Sequence, residues 1–329
     1  MPVASTAPQP KVLFISTWIN NPEFIPIQRD LIRKFCQESA ELLVVLDGKT
    51  TPCFTNFGDT TIRQRQIDIC RANNINFVEV PPNLHEEPQR RQLFQEGMEA
   101  DMIYDTSYRN TTIDPSSRTG TANQFGWRTF HQFLKPHYQY LVMMQSDVFP
   151  FAPFSVVEML SGPEGPNSLL YKNQYRVSDD GKREINYAWD GFLMFNFGND
   201  SLAEGPIPWN EWNFENGIQN GIFTDTGGGT WTILPKIQKK KDIDAKNSLQ
   251  WTFQDPIVAT LPSPVREFLQ NDIRNEGEKI FSEIKHQFFI HLRGGGNWEF
   301  IKNPGEGLVI QEQRFQAFIQ CCLKLLERH

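Results

Sequence analysis

No glycine-rich phosphate loop follows the first apolar run of this chain. Lys11 to Thr17 reads as a strand, and it continues into Trp18-Ile19-Asn20 with neither a GxGxxG turn nor a Walker A loop. Nicotinamide oxidoreductases and P-loop NTPases are therefore excluded. The same shortage argues against the usual doubly wound methyltransferases and the glycine-rich, basic sugar nucleotidylyltransferases. Basic charge is also short, with 32 Lys and Arg against 39 Asp and Glu and a net charge of -7. No global positive field attracts a phosphodiester backbone, so nucleic acid is not an expected partner. The Lys239-Lys240-Lys241 run reads as a solvated loop face.

Cysteine is sparse as well: Cys36, Cys53, Cys70, Cys321 and Cys322 include no CxxC pair and no Cys/His spacing suited to zinc. An odd number without a disulfide framework points to a reducing compartment. Residues 1–10 hold Pro, Ala, Ser and Thr but no apolar targeting core, and read as a disordered tail. No later apolar run approaches the roughly 18 residues that span a bilayer. The expectation is a soluble, cytoplasmic protein without a transmembrane segment.

Apolar content is ample, at 39% of 329 residues, with 26 Phe and 8 Trp to supply an aromatic core. Strand-like runs at Lys11–Thr17, Leu42–Leu46 and Asn76–Val80 alternate with helical spacing at Ile27, Leu31 and Phe35 and at Ile62, Ile69 and Cys70. Such alternation predicts βαβ units and a parallel sheet, an α/β fold. A helix is expected near Arg90 to Glu99, with loop from Asp101 to Asp114. A further helix from Thr119 carries Ala122, Phe125, Phe130, Phe133 and Leu134 and stops at Lys135-Pro136. Beyond Pro150 the pattern loosens into short strands at Ser168–Tyr171, Gly191–Phe197 and Gln287–Leu292, then a helix from Gln313 to Leu326. There are no internal repeats, and residues 11–329 read as one domain.

Tyr140-Leu141-Val142-Met143-Met144-Gln145-Ser146-Asp147 is an apolar strand delivering a carboxylate to its C-terminal edge, where open α/β sheets bind ligands. Asp147 is then a metal or ligand contact, or a helix cap. His291 ends another apolar strand and precedes Leu292-Arg293-Gly294-Gly295-Gly296. Oxygen and imidazole ligands together suit Mn²⁺ or a similar divalent ion, while the glycine amides and Arg293 suit phosphate. The alternative for His291 is a hydrogen-bonded core histidine, and for the glycines a flexible loop. Trp189-Asp190-Gly191 offers a ring face and a carboxylate for a sugar, or a plain β-turn. Asp225, ahead of Gly227-Gly228-Gly229-Thr230-Trp231, is a candidate base or a cap.

Taken in order, these pieces resemble the GT-A class of nucleotide-sugar glycosyltransferases over roughly residues 11 to 300. The resemblance implies a Rossmann-type, mostly parallel central sheet flanked by helices, with residues 11–150 as the nucleotide-binding half. Residues 151–329 would form a less regular acceptor half and C-terminal helix. The family's Asp-x-Asp motif is matched by Gln145-Ser146-Asp147, with Gln145 in place of the first acid, which keeps a hydrogen bond but no charge. The late His-x-x-Gly element is matched by His291-Leu292-Arg293-Gly294.

By this likeness Asp147 and His291 hold Mn²⁺ or Mg²⁺. Thr17, Asp47, Asn123, Arg128, Gln145, Ser146, Arg293 and Gly294 face the donor, and Trp189 and Trp231 the acceptor. Asp225 or Asp190 deprotonates the accepting hydroxyl of a carbohydrate or glycan. The implied activity is hexosyltransferase-like transfer from a nucleoside diphosphate-sugar. The alternatives are a non-catalytic carbohydrate or nucleotide-binding protein on a degenerate scaffold of this class, and a hydrolase using Asp190 and Asp225 as a carboxylate pair.

Overall fold

β1 (Lys11–Trp18) is exposed only at Lys11, as expected of a strand covered on both faces. Its side chains alternate between two apolar clusters, Val12, Phe14 and Trp18 in one and Leu13 and Ile15 in the other. The computed structural model describes residues 11–46, 61–80, 115–178, 180–182, 184–198, 227, 230–231, 233–243, 251–285, 287–292 and 304–327. The helix expected at Arg90 to Glu99 lies outside them.

Strand and helix alternate as the apolar periodicity predicts, through α1 (Phe24–Phe35), β2 (Ser39–Leu46), α2 (Ile62–Ala72) and β3 (Asn76–Glu79). β1 pairs in parallel with β2, and β2 with β3. α3 (Pro115–Thr129) then leads to β4 (Tyr140–Gln145), which pairs in parallel with the opposite edge of β1. Strand order therefore reverses between β1 and β4, and such a reversal opens a ligand crevice at the carboxyl ends of the two strands.

The large sheet continues with antiparallel β7 (Glu184–Asn196) and β6 (Leu169–Val177), and ends in β8 (Lys240–Asp242), for an order of β3-β2-β1-β4-β7-β6-β8. A separate antiparallel sheet is ordered β5 (Val148–Pro150), β10 (Phe289–His291), β9 (Glu283–Lys285). Only Ser146 and Asp147 separate β4 from β5, so Asp147 stands where the chain leaves one sheet for the other.

Aromatic packing joins the small sheet to the helices. Phe24 of α1 makes edge contacts with Phe149 at 5.5 Å and with Phe318 of α7 (Pro304–Glu327) at 5.9 Å. α7 also packs on α6 (Ser263–Asn271), and Arg314 there reaches buried Asp272 at 2.9 Å and Ser282 at 2.8 Å. Among the described residues the remaining α-helices, α4 (Val156–Leu160) and α5 (Pro256–Thr260), are short. Among the described helices none is long and apolar enough to cross a membrane.

Several local expectations change. Lys240 and Lys241 belong to edge strand β8 rather than to a loop, where lysine discourages pairing with another chain. The helix after Thr119 is π-helical over Phe130–Leu134. A wider turn breaks the 3.6-residue stripe, and Phe133, expected inward, is 67% exposed. β7 continues through Asp190-Gly191 with a shift of register against β6, a bulge rather than a turn. Gln287 adopts φ 63°, a left-handed conformation incompatible with a strand, so β10 starts later than the apolar run suggests.

Candidate functional site

Asp147, in the turn between the two sheets, and His291, at the end of β10, meet at the carboxyl end of β4. His291 Nε2 lies 3.5 Å from Asp147 Oδ2. The backbone is tied at the same place, since the amide of Leu292 donates to the carbonyl of Asp147 at 2.8 Å. Asp147 is no helix cap here; it occupies the turn between β4 and β5. Its Oδ1 is buried and has no hydrogen-bond partner among the described residues, a cost that a bound cation would remove.

The other imidazole nitrogen is engaged from behind. His291 Nδ1 is 2.8 Å from Glu283 Oε2, and Lys285 Nζ lies 2.8 Å from the same carboxylate oxygen. Burial pushes the His291 pKa down, but Asp147 and Glu283 on its two sides outweigh it and raise it to about 9. Burial likewise opposes ionisation of Glu283, yet His291, Lys285 and Lys172 hold its carboxyl well below the usual range. A carboxylate on the far nitrogen orients an imidazole that binds a metal through the near one.

Trp189 closes the back of this group. Its ring lies 5.0 Å from that of His291, with Lys285 Nζ 4.7 Å and Lys172 Nζ 5.6 Å from its centroid. Gly191 makes that placement possible, because a Cβ there would fall 2.0 Å from the indole. Trp189 is only 7% exposed, so it is a wall behind the histidine and not the open stacking surface the sequence suggests. Trp231 is half-buried beside β7, where Thr230 Oγ1 accepts from the Ala188 amide and donates to the Gly227 carbonyl, both at 2.7 Å.

On the β1 side of the crevice, Thr17 lies opposite Gln145 in register. Thr17 Oγ1 donates to Asn123 Oδ1 at 2.5 Å, both residues being buried. Ser146 is half-buried in the turn itself. Arg128 is exposed on the same helix as Asn123. Asn123 meets Thr17, while Gly126 approaches Ile15 and Val45, a Cβ there meeting both at 3.1 Å. α3 thus descends from the strand tips. Asp47, Asp225, Arg293 and Gly294 lie outside the described residues, as does the side chain of Asp190, whose backbone sits in β7.

Gln28, Lys172, Glu283 and Lys285 escaped the sequence reading. Gln28 was visible in principle as the polar member of an apolar helical stripe with Ile25 and Leu31. Glu283-Ile284-Lys285 looks like a solvated charged segment, and its burial depends on β10 pairing beside it.

Asp147 and His291 fit a divalent cation of the Mg²⁺ or Mn²⁺ type. They offer one oxygen and one nitrogen ligand, and such ions commonly take their remaining ligands from water and substrate phosphates. Among the described residues no group of three or more His, Cys, Asp or Glu side chains is placed to hold a metal ion.

No protein-family model and no curated protein matches the chain. Similar solved structures include the mannosyltransferase Ktr4p from S. cerevisiae, with 10% identity, 69% of this chain and 63% of that chain covered and a TM-score of 0.38. Glucosyl-3-phosphoglycerate synthase from Mycobacterium tuberculosis, in complex with Mg²⁺ and UDP, shows 15% identity, coverage of 64% and 66%, and a TM-score of 0.31. The galactosyltransferase LgtC, in complex with donor and acceptor sugar analogs, shows 10% identity, coverage of 70% and 70%, and a TM-score of 0.34. The chain thus spans less than two thirds of the length of the first two. Likenesses this remote leave activity to be argued from the site's own residues.

Proposed function

We propose that this chain is a glycosyltransferase that moves a sugar from a nucleoside diphosphate-sugar to a hydroxyl of a carbohydrate or glycan. The observation that carries the reading is the meeting of Asp147, in the turn that joins the two sheets, with His291 of the small sheet, 3.5 Å apart, at the crevice where strand order reverses. The unpartnered Asp147 Oδ1 supports a cation there.

Asp147 and His291 would hold Mn²⁺ or Mg²⁺, with Glu283 fixing the imidazole from its far side. Such an ion, when bound, neutralises charge developing on the diphosphate as it leaves. Thr17, Asn123, Gln145 and Ser146 border the donor crevice, and Asp47, Arg293 and Gly294 are assigned to the donor by their positions after strand tips. In an inverting route Asp225, or else Asp190, takes the proton from the acceptor hydroxyl. The new bond to the anomeric carbon then forms as the bond to the diphosphate oxygen breaks. Trp231, half-buried, would offer its ring to an acceptor sugar.

Thermal unfolding with a panel of nucleoside diphosphates and nucleotide sugars, with and without Mn²⁺, tests this. A ligand that binds only the folded chain raises its Tm. The expected result is a Mn²⁺-dependent rise for one nucleotide, absent in Asp147→Ala, with transfer reduced on the order of 100-fold or more. His291→Ala should raise the Mn²⁺ concentration required. Full transfer by Asp147→Ala would overturn the proposal.

A further inference from the structure

Gln28 is fully buried on α1, within a stripe formed by Phe24, Ile25, Leu31 and Ile32. Its amide Nε2 donates to two carbonyls, that of Gln145 at 3.0 Å and that of Val148 at 2.8 Å. These are the last residue of β4 and the first of β5. One amide group therefore spans the two-residue link that carries Asp147 from the large sheet to the small one.

As a stability device this arrangement is poor. Gln28 Oε1 is buried without a hydrogen-bond partner among the described residues, and such an orphan is unfavourable. What the glutamine does provide is a fixed spacing between the carbonyls flanking Ser146-Asp147. The Leu292 amide holds the carbonyl of Asp147 itself at 2.8 Å. Three successive anchor points, at residues 145, 147 and 148, thus fix the turn, and Gln28 supplies two of them.

We propose that Gln28 is a positioning residue of the donor site, holding the seam between the two sheets so that the Asp147 carboxylate meets His291. It touches neither ligand nor reacting atoms and acts through the backbone of the turn. The role rests on the donor site proposed above, but its structural half is testable without any ligand.

The experiment compares wild type, Gln28→Leu and Gln28→Met by amide hydrogen exchange over residues 145–149, with β1 and β2 as internal references. Mn²⁺ affinity is measured in parallel by electron paramagnetic resonance. Exchange across the turn should accelerate at least tenfold in both variants while β1 and β2 keep their protection. Mn²⁺ affinity should fall about tenfold, at the lower end of the loss seen when support for a metal ligand is removed.

Glu38→Gln, which weakens the cap of α4, serves as the destabilised control and should leave Mn²⁺ affinity unchanged. Unchanged exchange at 145–149, or acceleration shared equally by β1 and β2, would overturn the proposal. Two variants guard against a single misfit side chain. Absence of Mn²⁺ binding in wild type would count against the metal-assisted reading, while the exchange comparison would still decide whether Gln28 holds the turn.

Discussion

His291 Nδ1 and Lys285 Nζ converge on one atom, the Oε2 of Glu283, each at 2.8 Å, the histidine through a hydrogen bond and the lysine as an ion pair. The shared carboxylate lies on β9, one strand behind the histidine, and couples the Asp147 site to the packing of the small sheet. Breaking one partner of a buried pair is costly because the other charge remains. Glu283→Leu is expected to lose about 3–5 kcal/mol in urea unfolding. Glu283→Leu combined with Lys285→Met should recover much of that stability but not the Mn²⁺ affinity, since His291 has lost its orienting partner. Recovery of both would remove Glu283 from the site.

Gly191→Ala places a methyl group where the Trp189 ring now lies, 2.0 Å from the nearest ring carbon. The indole must move, and an overpacked core typically loses about 1–3 kcal/mol. Transfer should fall further than stability does, because the ring also packs against His291. A crystal structure of the variant with Trp189 in its original place would contradict this account.

Arg314→Met removes the guanidinium from a pair in which both side chains are fully buried. Asp272 would keep an uncompensated charge near Ser282, and the expected loss is about 3–5 kcal/mol in denaturant unfolding. Arg314→Met with Asp272→Leu should be considerably more stable than Arg314→Met alone.

Glu38 caps α4 from a distance, accepting from Ser155 Oγ at 2.5 Å and from the amides of Val156 and Val157 at 3.1 Å. Burial pushes its pKa up, but the hydrogen bonds from Ser155, Val157, Val156 and Cys36 outweigh that and leave it below the ordinary value. A lowered folded-state pKa means stability that is present above the unfolded carboxylate pKa and lost as pH falls through the folded one. The stability gap between wild type and Glu38→Gln should therefore be widest at neutral pH and shrink on acidification, as read by urea unfolding. A gap independent of pH would show that the charge is not what matters.

Arg128→Ala should change donor affinity by no more than about twofold, the range of an ordinary surface substitution. A tenfold loss, measured by nucleotide titration, would place Arg128 at the donor site after all.

Much of the frame was legible from periodicity alone. Buried parallel strands announce themselves as continuous apolar runs, and β1, β2 and β4 each contain a run of that kind. Asp147 and His291 stood out because each interrupts such a run at its end. The sequence itself therefore determined the α/β alternation and the two residues at the ends of apolar strands, since burial and backbone direction are local properties that the pattern records. Only the tertiary structure decided that the two meet, that Glu283 and Lys285 lie buried behind them, and that Gln28 bridges β4 and β5. Those contacts join elements more than a hundred residues apart in several cases. Such pairings follow from strand order and helix packing, which no local spacing encodes. For the same reason the burial of Trp189 was not legible: a ring's exposure is set by neighbours distant in the chain.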